Sequence, residues 1–348
     1  MPALRAVLLR ALALAVPLSF VGASCGQGAL GIMPGVINDT HNLSLRRAIL
    51  AEGKGKICAE VQARSLAIRP RDDAPAIGRF MPLQCYARDL PNGEIYLQLG
   101  GRGYVWTNVS QRVGFEAGIG VNYDVDFQLD GSTMYLYLRP RAATAPAFAT
   151  KVVENPQAAF FGGMATTPSG QKMTDAFGAS IMSSQLTRGF TVIRKPDGTI
   201  EMGLGVIPPG GHPMAGIATL DRDKPVLLND RSELRPNQRD FIPLEVPPGS
   251  KLTLLVGVAG PGVDVLLLPR AAGEAWLGAY ATQAVTTPPP AQPFVDEPVD
   301  PGPIWRRTVA VPPGAYYLVL DNTPSAGRRA PAASGDQPAV VSYGAELE

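Results

Sequence analysis

Histidine and cysteine are scarce in this chain, two and three among 348 residues. That is too few for a His-rich zinc centre or a cysteine-held cluster. Neither sign of charge dominates. Lys and Arg number 31 against 30 Asp and Glu, a net +1, which leaves no general basic surface for nucleic acid. Two chemical signatures are missing as well: there is no Gly-x-Ser-x-Gly elbow and no complete Walker or dinucleotide glycine pattern. What the chain has in quantity is punctuation. Its 38 Gly and 34 Pro make up about a fifth of the residues, below the range of about 25–30% that marks low-complexity disorder. Such a composition suits short strands joined by many turns. With 45% hydrophobic residues and a soft prior of about 150 residues per domain, the length predicts two domains with buried cores.

Residues 1–24 carry Arg5 and Arg10 and no acid, then the apolar run Ala11 to Leu18, then small residues. This order reads as a secretory signal. Pro17 and the early arrival of Gly22-Ala23-Ser24 make the run too short for a membrane span. Gly22-Ala23-Ser24-Cys25 resembles a bacterial lipobox, in which the cysteine is lipidated and becomes the mature N-terminus; the sequence departs from that pattern at Gly22. The alternative is ordinary signal cleavage after Val21-Gly22-Ala23, which leaves Cys25 free. If Cys25 is acylated, Cys58 and Cys85 remain as an even pair, and in an oxidising compartment that predicts a disulfide. A loop of this length predicts a stabilisation of about 3–4 kcal/mol.

Further along, Leu43 to Leu50 fits a short helix or an entering strand equally well. Glu94–Leu99, Gly100-Gly101-Arg102-Gly103 and Tyr104–Thr107 read as strand, turn and strand. The clearest periodicity runs from Ile119 to Leu129, where Ile, Val, Tyr, Val, Phe and Leu alternate with Gly, Asn, Asp, Asp and Gln. Period two over this span predicts an antiparallel strand with one buried and one wet face. Asp130-Gly131 then turns the chain into Met134–Leu138. Met173, Phe177, Ile181 and Leu186 are spaced for a helix, and Phe190–Arg194 with Thr199–Met202 for a hairpin around Pro196-Asp197-Gly198. In the C-terminal third, Val-Pro-Pro-Gly occurs twice, at 246–249 and 311–314, each time between apolar strands.

Asp240 to Leu254, Gly262-Val263-Asp264-Val265-Leu266-Leu267 and Gly314-Ala315-Tyr316-Tyr317-Leu318-Val319 resemble the bacterial pre-peptidase C-terminal type of β-sandwich. The resemblance covers residues 230–348 and departs from the family in the Pro-rich insertion Thr286 to Pro303. It implies an accessory or binding role on an exported protein, sometimes toward carbohydrate, and names no ligand.

Candidate chemistry is sparse. Ser169 and Lys172 have the Ser-x-x-Lys spacing of penicillin-interacting enzymes, but the companion Ser-Asp-Asn and Lys-Thr-Gly elements are absent and Ser169 also suits a helix cap. Asp124, Asp126 and Asp130 could offer oxygens to Ca²⁺, although the first two fall where a wet strand face needs polar residues anyway. Asp264 reads as the end of a turn. His41 and His212 sit in loops without a partner motif. Gly53-Lys54-Gly55-Lys56 and Gly100 to Gly103 read as turns. Tyr96, Tyr104, Trp106, Tyr123, Tyr135 and Tyr137 read as cross-strand packing, with a sugar-stacking face as the alternative.

The sequence therefore predicts a mostly β protein with two antiparallel β-rich modules. Its parts are a signal peptide at 1–24, a tether at 25–41, an N-terminal β-rich domain at 42–141, a connecting region with one short helix and a hairpin at 142–229, and a jelly-roll-like β-sandwich at 230–348. The expected role is that of an exported envelope protein, lipid-anchored through Cys25, with non-catalytic binding or structural work. The expected partners are the membrane through that lipid and an envelope protein or polysaccharide, with no cofactor, metal or nucleic acid. The alternatives are a secreted serine hydrolase using Ser169 and Lys172, or a carbohydrate-binding protein.

Overall fold

The computed structural model describes residues 34–348 except 109, 145, 157–169, 214–215, 218–219, 221–223 and 329–336. The protein is mostly β, with antiparallel sheets. The first module opens with helices α1 (Pro34–Asn38) and α2 (Leu43–Ala63). Strands β1 (Leu66–Ile68), β2 (Gly78–Asp89), β3 (Ile95–Thr107), β4 (Gln111–Asp130), β5 (Thr133–Ala143) and β6 (Ala147–Val153) follow. It closes with helix α3 (Gly170–Leu186) and strands β7 (Phe190–Arg194) and β8 (Ile200–Leu204). The strands form one sheet in the order β1-β2-β3-β4-β5-β7-β8, and β6 pairs with the first half of β4. Alternation in β4 is as its sequence predicts: Ile119, Val121, Tyr123, Val125, Phe127 and Leu129 all enter one core. Ile37 of α1, Ile57 and Val61 of α2, and Met182 and Leu186 of α3 cover that core from the other side.

Three expectations change. Gly100 to Gly103 make no turn; they lie inside β3, which continues unbroken from 95 to 107. A side chain at Gly101 would place its Cβ 2.0 Å from the Met81 carbonyl oxygen, so here the glycine permits a close strand approach. Gly53-Lys54-Gly55-Lys56 lies within α2, whose stripe of Leu45, Ile49, Ile57 and Val61 keeps one face on the sheet across the two glycines. The stretch 142–229 does more than connect. It supplies β6, β7 and β8 to the first sheet, because Ala147–Val153 pairs along β4 and Phe190–Arg194 along β5.

The second module holds β9 (Val226–Leu234), β10 (Gln238–Val246), β11 (Leu252–Ala259), β12 (Val263–Pro269), helix α4 (Arg270–Thr282), β13 (Val295–Val299), β14 (Trp305–Val309), β15 (Gly314–Asn322) and β16 (Ala339–Leu347). Two four-stranded sheets, β10-β15-β12-β13 and β14-β11-β16-β9, face each other as a sandwich. Leu252, Leu254 and Val256 of one sheet and Val265, Leu267, Leu318 and Leu320 of the other fill the space between. Both Val-Pro-Pro-Gly turns are corners where the chain changes sheets, from β10 to β11 and from β14 back to β15. The sheet β10-β15-β12-β13 is covered on its outer face too. There Phe241, Leu266, Leu268, Tyr317 and Val319 meet Trp276, Leu277 and Tyr280 of α4, and Met81 and Tyr104 of the first module. Double burial explains why β12 is apolar at successive positions from Val265 to Leu268 instead of alternating. Among the described residues no helix is long and apolar enough to cross a membrane.

Candidate functional site: a buried polar seam between the modules

Polar groups concentrate where the two modules meet. Arg79 of β2 grips Asp240 of β10 with two parallel bonds, Nε to Oδ1 at 2.7 Å and Nη2 to Oδ2 at 2.8 Å. The same carboxylate accepts from the Tyr104 hydroxyl at 2.6 Å and the Ser232 hydroxyl at 2.5 Å. Arg79 also donates to the Tyr343 hydroxyl at 2.6 Å and to Ser65 Oγ at 3.0 Å. Tyr104 in turn accepts from the Phe241 amide at 2.8 Å. Both charged side chains are 4% exposed. Burial alone would push the Asp240 carboxyl upward, but the Arg79 charge and the donated hydrogen bonds outweigh it and hold the pKa below the usual carboxylate value. Burial likewise works against the Arg79 charge, and Asp240 and Tyr343 reverse it, so the guanidinium stays firmly charged. Burial raises the Tyr104 and Tyr343 hydroxyls, which stay protonated.

A second cluster surrounds α4. Arg239 of β10 pairs with Asp321 of β15 at 2.8 Å with neither side chain exposed, and its guanidinium lies 4.1 Å from the Trp276 ring centre. It donates to Thr323 at 2.6 Å, Ser325 at 2.7 Å and the Thr287 carbonyl at 3.0 Å. Here burial prevails over pairing: the Asp321 carboxyl is pushed up to about 6 and the Arg239 pKa is lowered. Arg112 of β4 lies 4.2 Å from the Tyr280 ring centre. It donates to the carbonyls of Tyr280 at 2.9 Å, Gln283 at 2.9 Å and Ala284 at 2.6 Å, which caps the end of α4 from the other module. Close contact requires Gly114: a Cβ there would sit 2.1 Å from the Ala281 carbonyl oxygen. Further crossings are the Arg69–Asp230 ion pair and the parallel bridge of Ala76 with Ser232.

A cleft opens on this seam, lined by Trp106, Arg112, Gln238, Arg239, Asp240 and Tyr280 among others. It has room for about one water molecule and none for an organic substrate. Ser232 lies against a carboxylate but has no imidazole to take its proton, and the tyrosines around it are held neutral. The arrangement joins the two modules through Arg79, Asp240 and Arg112.

The residues singled out in the sequence are dispersed. Cys58 and Cys85 form a disulfide that ties α2 to β2, with Cα atoms 5.4 Å apart. Cys25 and Ser169 lie outside the described residues, as does the side chain of Lys172. Asp124 pairs with Arg141 at 2.8 Å, and Asp126 with Arg46 and Arg139, so these carboxylates answer neighbouring cations. Asp264 lies inside β12 and accepts from the Arg328 amide at 3.0 Å, holding the loop after β15 instead of ending a turn. His41 pairs with Asp39 at 2.9 Å and His212 approaches Glu201 at 3.4 Å, both in exposed positions. Of the six aromatics, Tyr104, Tyr123, Tyr135 and Tyr137 are buried. Trp106 is partly covered by Arg235, 4.0 Å from its ring centre. The sequence reading did not single out Arg79, Arg112, Ser232, Arg239 or Asp321. The one local signal was the pair Arg239-Asp240 at the head of an apolar strand.

No family model and no curated protein matches this chain. Among solved structures, the crystal structure of tripeptidyl peptidase 2 (TPP II) is similar at a TM-score of 0.22 and 11% identity, over 80% of this chain and 20% of that one. A likeness that weak carries no argument. The resemblance of residues 230–348 to the pre-peptidase C-terminal sandwich gains no support from these comparisons.

Proposed function

We propose that this chain is an exported protein of the cell envelope, anchored by lipid on Cys25, with a non-catalytic binding or structural role. The observation that carries the reading is the Cys58–Cys85 disulfide, since such bonds persist in oxidising compartments and are rare in the reducing cytosol. The seam supports the non-catalytic part. Arg79 and Asp240 answer each other across the module boundary, Arg239 and Asp321 pair within the second module beside it, and the cleft between them admits no substrate. Stable anchoring requires more than one acyl chain, because a single chain holds a membrane only marginally. Intact mass of the protein purified from its native envelope, before and after reduction, tests the reading. The expected result is a chain that begins at Cys25 with added acyl mass and gains two hydrogens on reduction. An unmodified chain that begins upstream of Cys25 would overturn the anchor, and free thiols at Cys58 and Cys85 would overturn the oxidising compartment.

A further inference from the structure

The outer face of the first sheet carries a patch that neither module covers. Strand register places Gln84, Gly100 and Gly118 in one row across β2, β3 and β4. Tyr86, Gln98 and Gly120 form the next row, and Arg88, Tyr96 and Asn122 the third. The residues between them face the core: Cys85 in the disulfide, and Leu97, Leu99, Ile119 and Val121 in the apolar cluster. The nine positions therefore share the opposite side, where Gln84, Tyr86, Arg88 and Gln98 are exposed and Gly120 is buried. Two contacts agree with this placement, since Gln84 and Tyr96 lie where side chains at Gly100 and Gly120 would project.

Three properties of the patch point to a ligand class. Tyr86 is 55% exposed, well above the other tyrosines of this module that enter a core, and Tyr96 stands diagonally across from it under the Arg88 guanidinium at 5.0 Å. The amides of Gln84, Gln98 and Asn122 make no hydrogen bond to any described residue, and the same holds for the hydroxyls of Tyr86 and Tyr96. At the borders Glu116 pairs with Lys151 and Asp124 with Arg141, while Arg102, two places beyond Gly100 on the same face of β3, carries its guanidinium to Gly278 of α4. Arg88 is the single charge among the nine positions, and it rests on the Tyr96 ring. Unpaired amides and hydroxyls beside the exposed Tyr86 ring suit a neutral ligand that is rich in hydroxyl groups and has apolar ring faces. Of the three glycines Gly118 leaves open floor, since a Cβ there would meet nothing closer than 3.8 Å, while Gln84 and Tyr96 cover Gly100 and Gly120.

We propose that this face binds a neutral polysaccharide, with Tyr86 stacking on a sugar ring and Gln84, Gln98 and Asn122 bonding its hydroxyls. The inference rests on reading the chain as a binder and does not depend on the lipid at Cys25. Affinity electrophoresis of the full mature chain in native gels containing soluble hydroxyethyl cellulose, galactomannan or the anionic polymer alginate tests it. Retardation by at least one neutral polymer is expected, with affinity falling about tenfold in Tyr86→Ala. Gly118→Gln should abolish binding by obstructing the floor. Gln98→Ala, at an exposed position, serves as a third variant should either of the others disturb the circular dichroism spectrum. Absence of retardation in every neutral gel would overturn the proposal. Retention by alginate alone, or binding that survives all three substitutions, would overturn it equally. None of these results bears on the mass of the N-terminus, so the anchor and the glycan face fail separately.

Discussion

At the scale of single residues, Asp240 is the position on which most depends. It accepts hydrogen bonds from Arg79, Tyr104 and Ser232, groups that come from both modules. Asp240→Ala leaves the Arg79 charge buried without its counterion, and breaking such a pair from one side costs about 3–5 kcal/mol. Urea unfolding should show a midpoint lowered to match; an unchanged midpoint would refute the role assigned here. The double variant Arg79→Met with Asp240→Leu, which removes both charges, should recover much of the loss. The two buried acids also respond to pH with opposite sign. Asp240 has a folded pKa below its usual 3.8, so the stability it provides is complete above that value and is lost as pH falls through the lower, folded pKa. Asp321 has a folded pKa of about 6, above the usual 3.8. Between those values the folded state holds the extra proton, so this group adds stability as pH falls from about 6 toward 4. Burial raises Glu154 as well, which acts in the same direction. Melting temperature followed against pH should therefore rise on mild acidification from neutrality and drop below the ordinary carboxylate range. A steady fall from pH 7 downward would contradict the Asp321 assignment.

At the scale of elements, two glycines should respond in opposite ways to the same substitution. Gly55 lies inside α2, and a Cβ there meets nothing within 4 Å. Gly55→Ala should stabilise by about 0.5–1 kcal/mol, because alanine loses less backbone entropy in a helix. Gly114 has the Ala281 carbonyl oxygen where a Cβ would be, so Gly114→Ala should destabilise by about 1–3 kcal/mol through overpacking. Chemical denaturation of both variants reads the contrast, and equal signs would count against the packing described. The same pair shows what was legible in the sequence. Alternation in β4 could be read because one face is wet and the other dry. Glycines in α2 and β3 resembled turns because local propensity does not register the core stripe of α2 or the backbone crowding at Gly101. Helix α4 escaped notice because its buried residues, Gly273, Trp276, Leu277, Tyr280 and Ala281, are separated by Ala275, Gly278 and Ala279 with Glu274 as the single charge, which mutes the polar contrast. The seam was out of reach because its partners are far apart in sequence: Arg79 and Asp240 are 161 positions apart, and Arg79 and Tyr343 are 264 apart.

At the scale of the whole molecule, the two sheet systems are coupled too tightly to behave as independent domains. The sheet β10-β15-β12-β13 needs α4 on its outer face, and α4 needs Arg112 of the first module to satisfy its last carbonyls. The first module in turn keeps Arg79 and Tyr104 at a surface where Asp240, Tyr343 and the Phe241 amide of the second module pair with them. Separation would leave polar groups unpaired on each side and would uncover Met81, Phe241, Leu266 and Leu268 together. Unfolding should therefore be a single cooperative event although the chain has more than one core. Calorimetry of the full chain is expected to show one transition whose calorimetric and van't Hoff enthalpies agree. A fragment limited to 34–213 should expose its seam, bind a hydrophobic dye and melt far below the full chain. Two separate transitions, or a fragment as stable as the whole, would mean that the seam is a contact between independent domains and that the buried ion pairs only set their orientation.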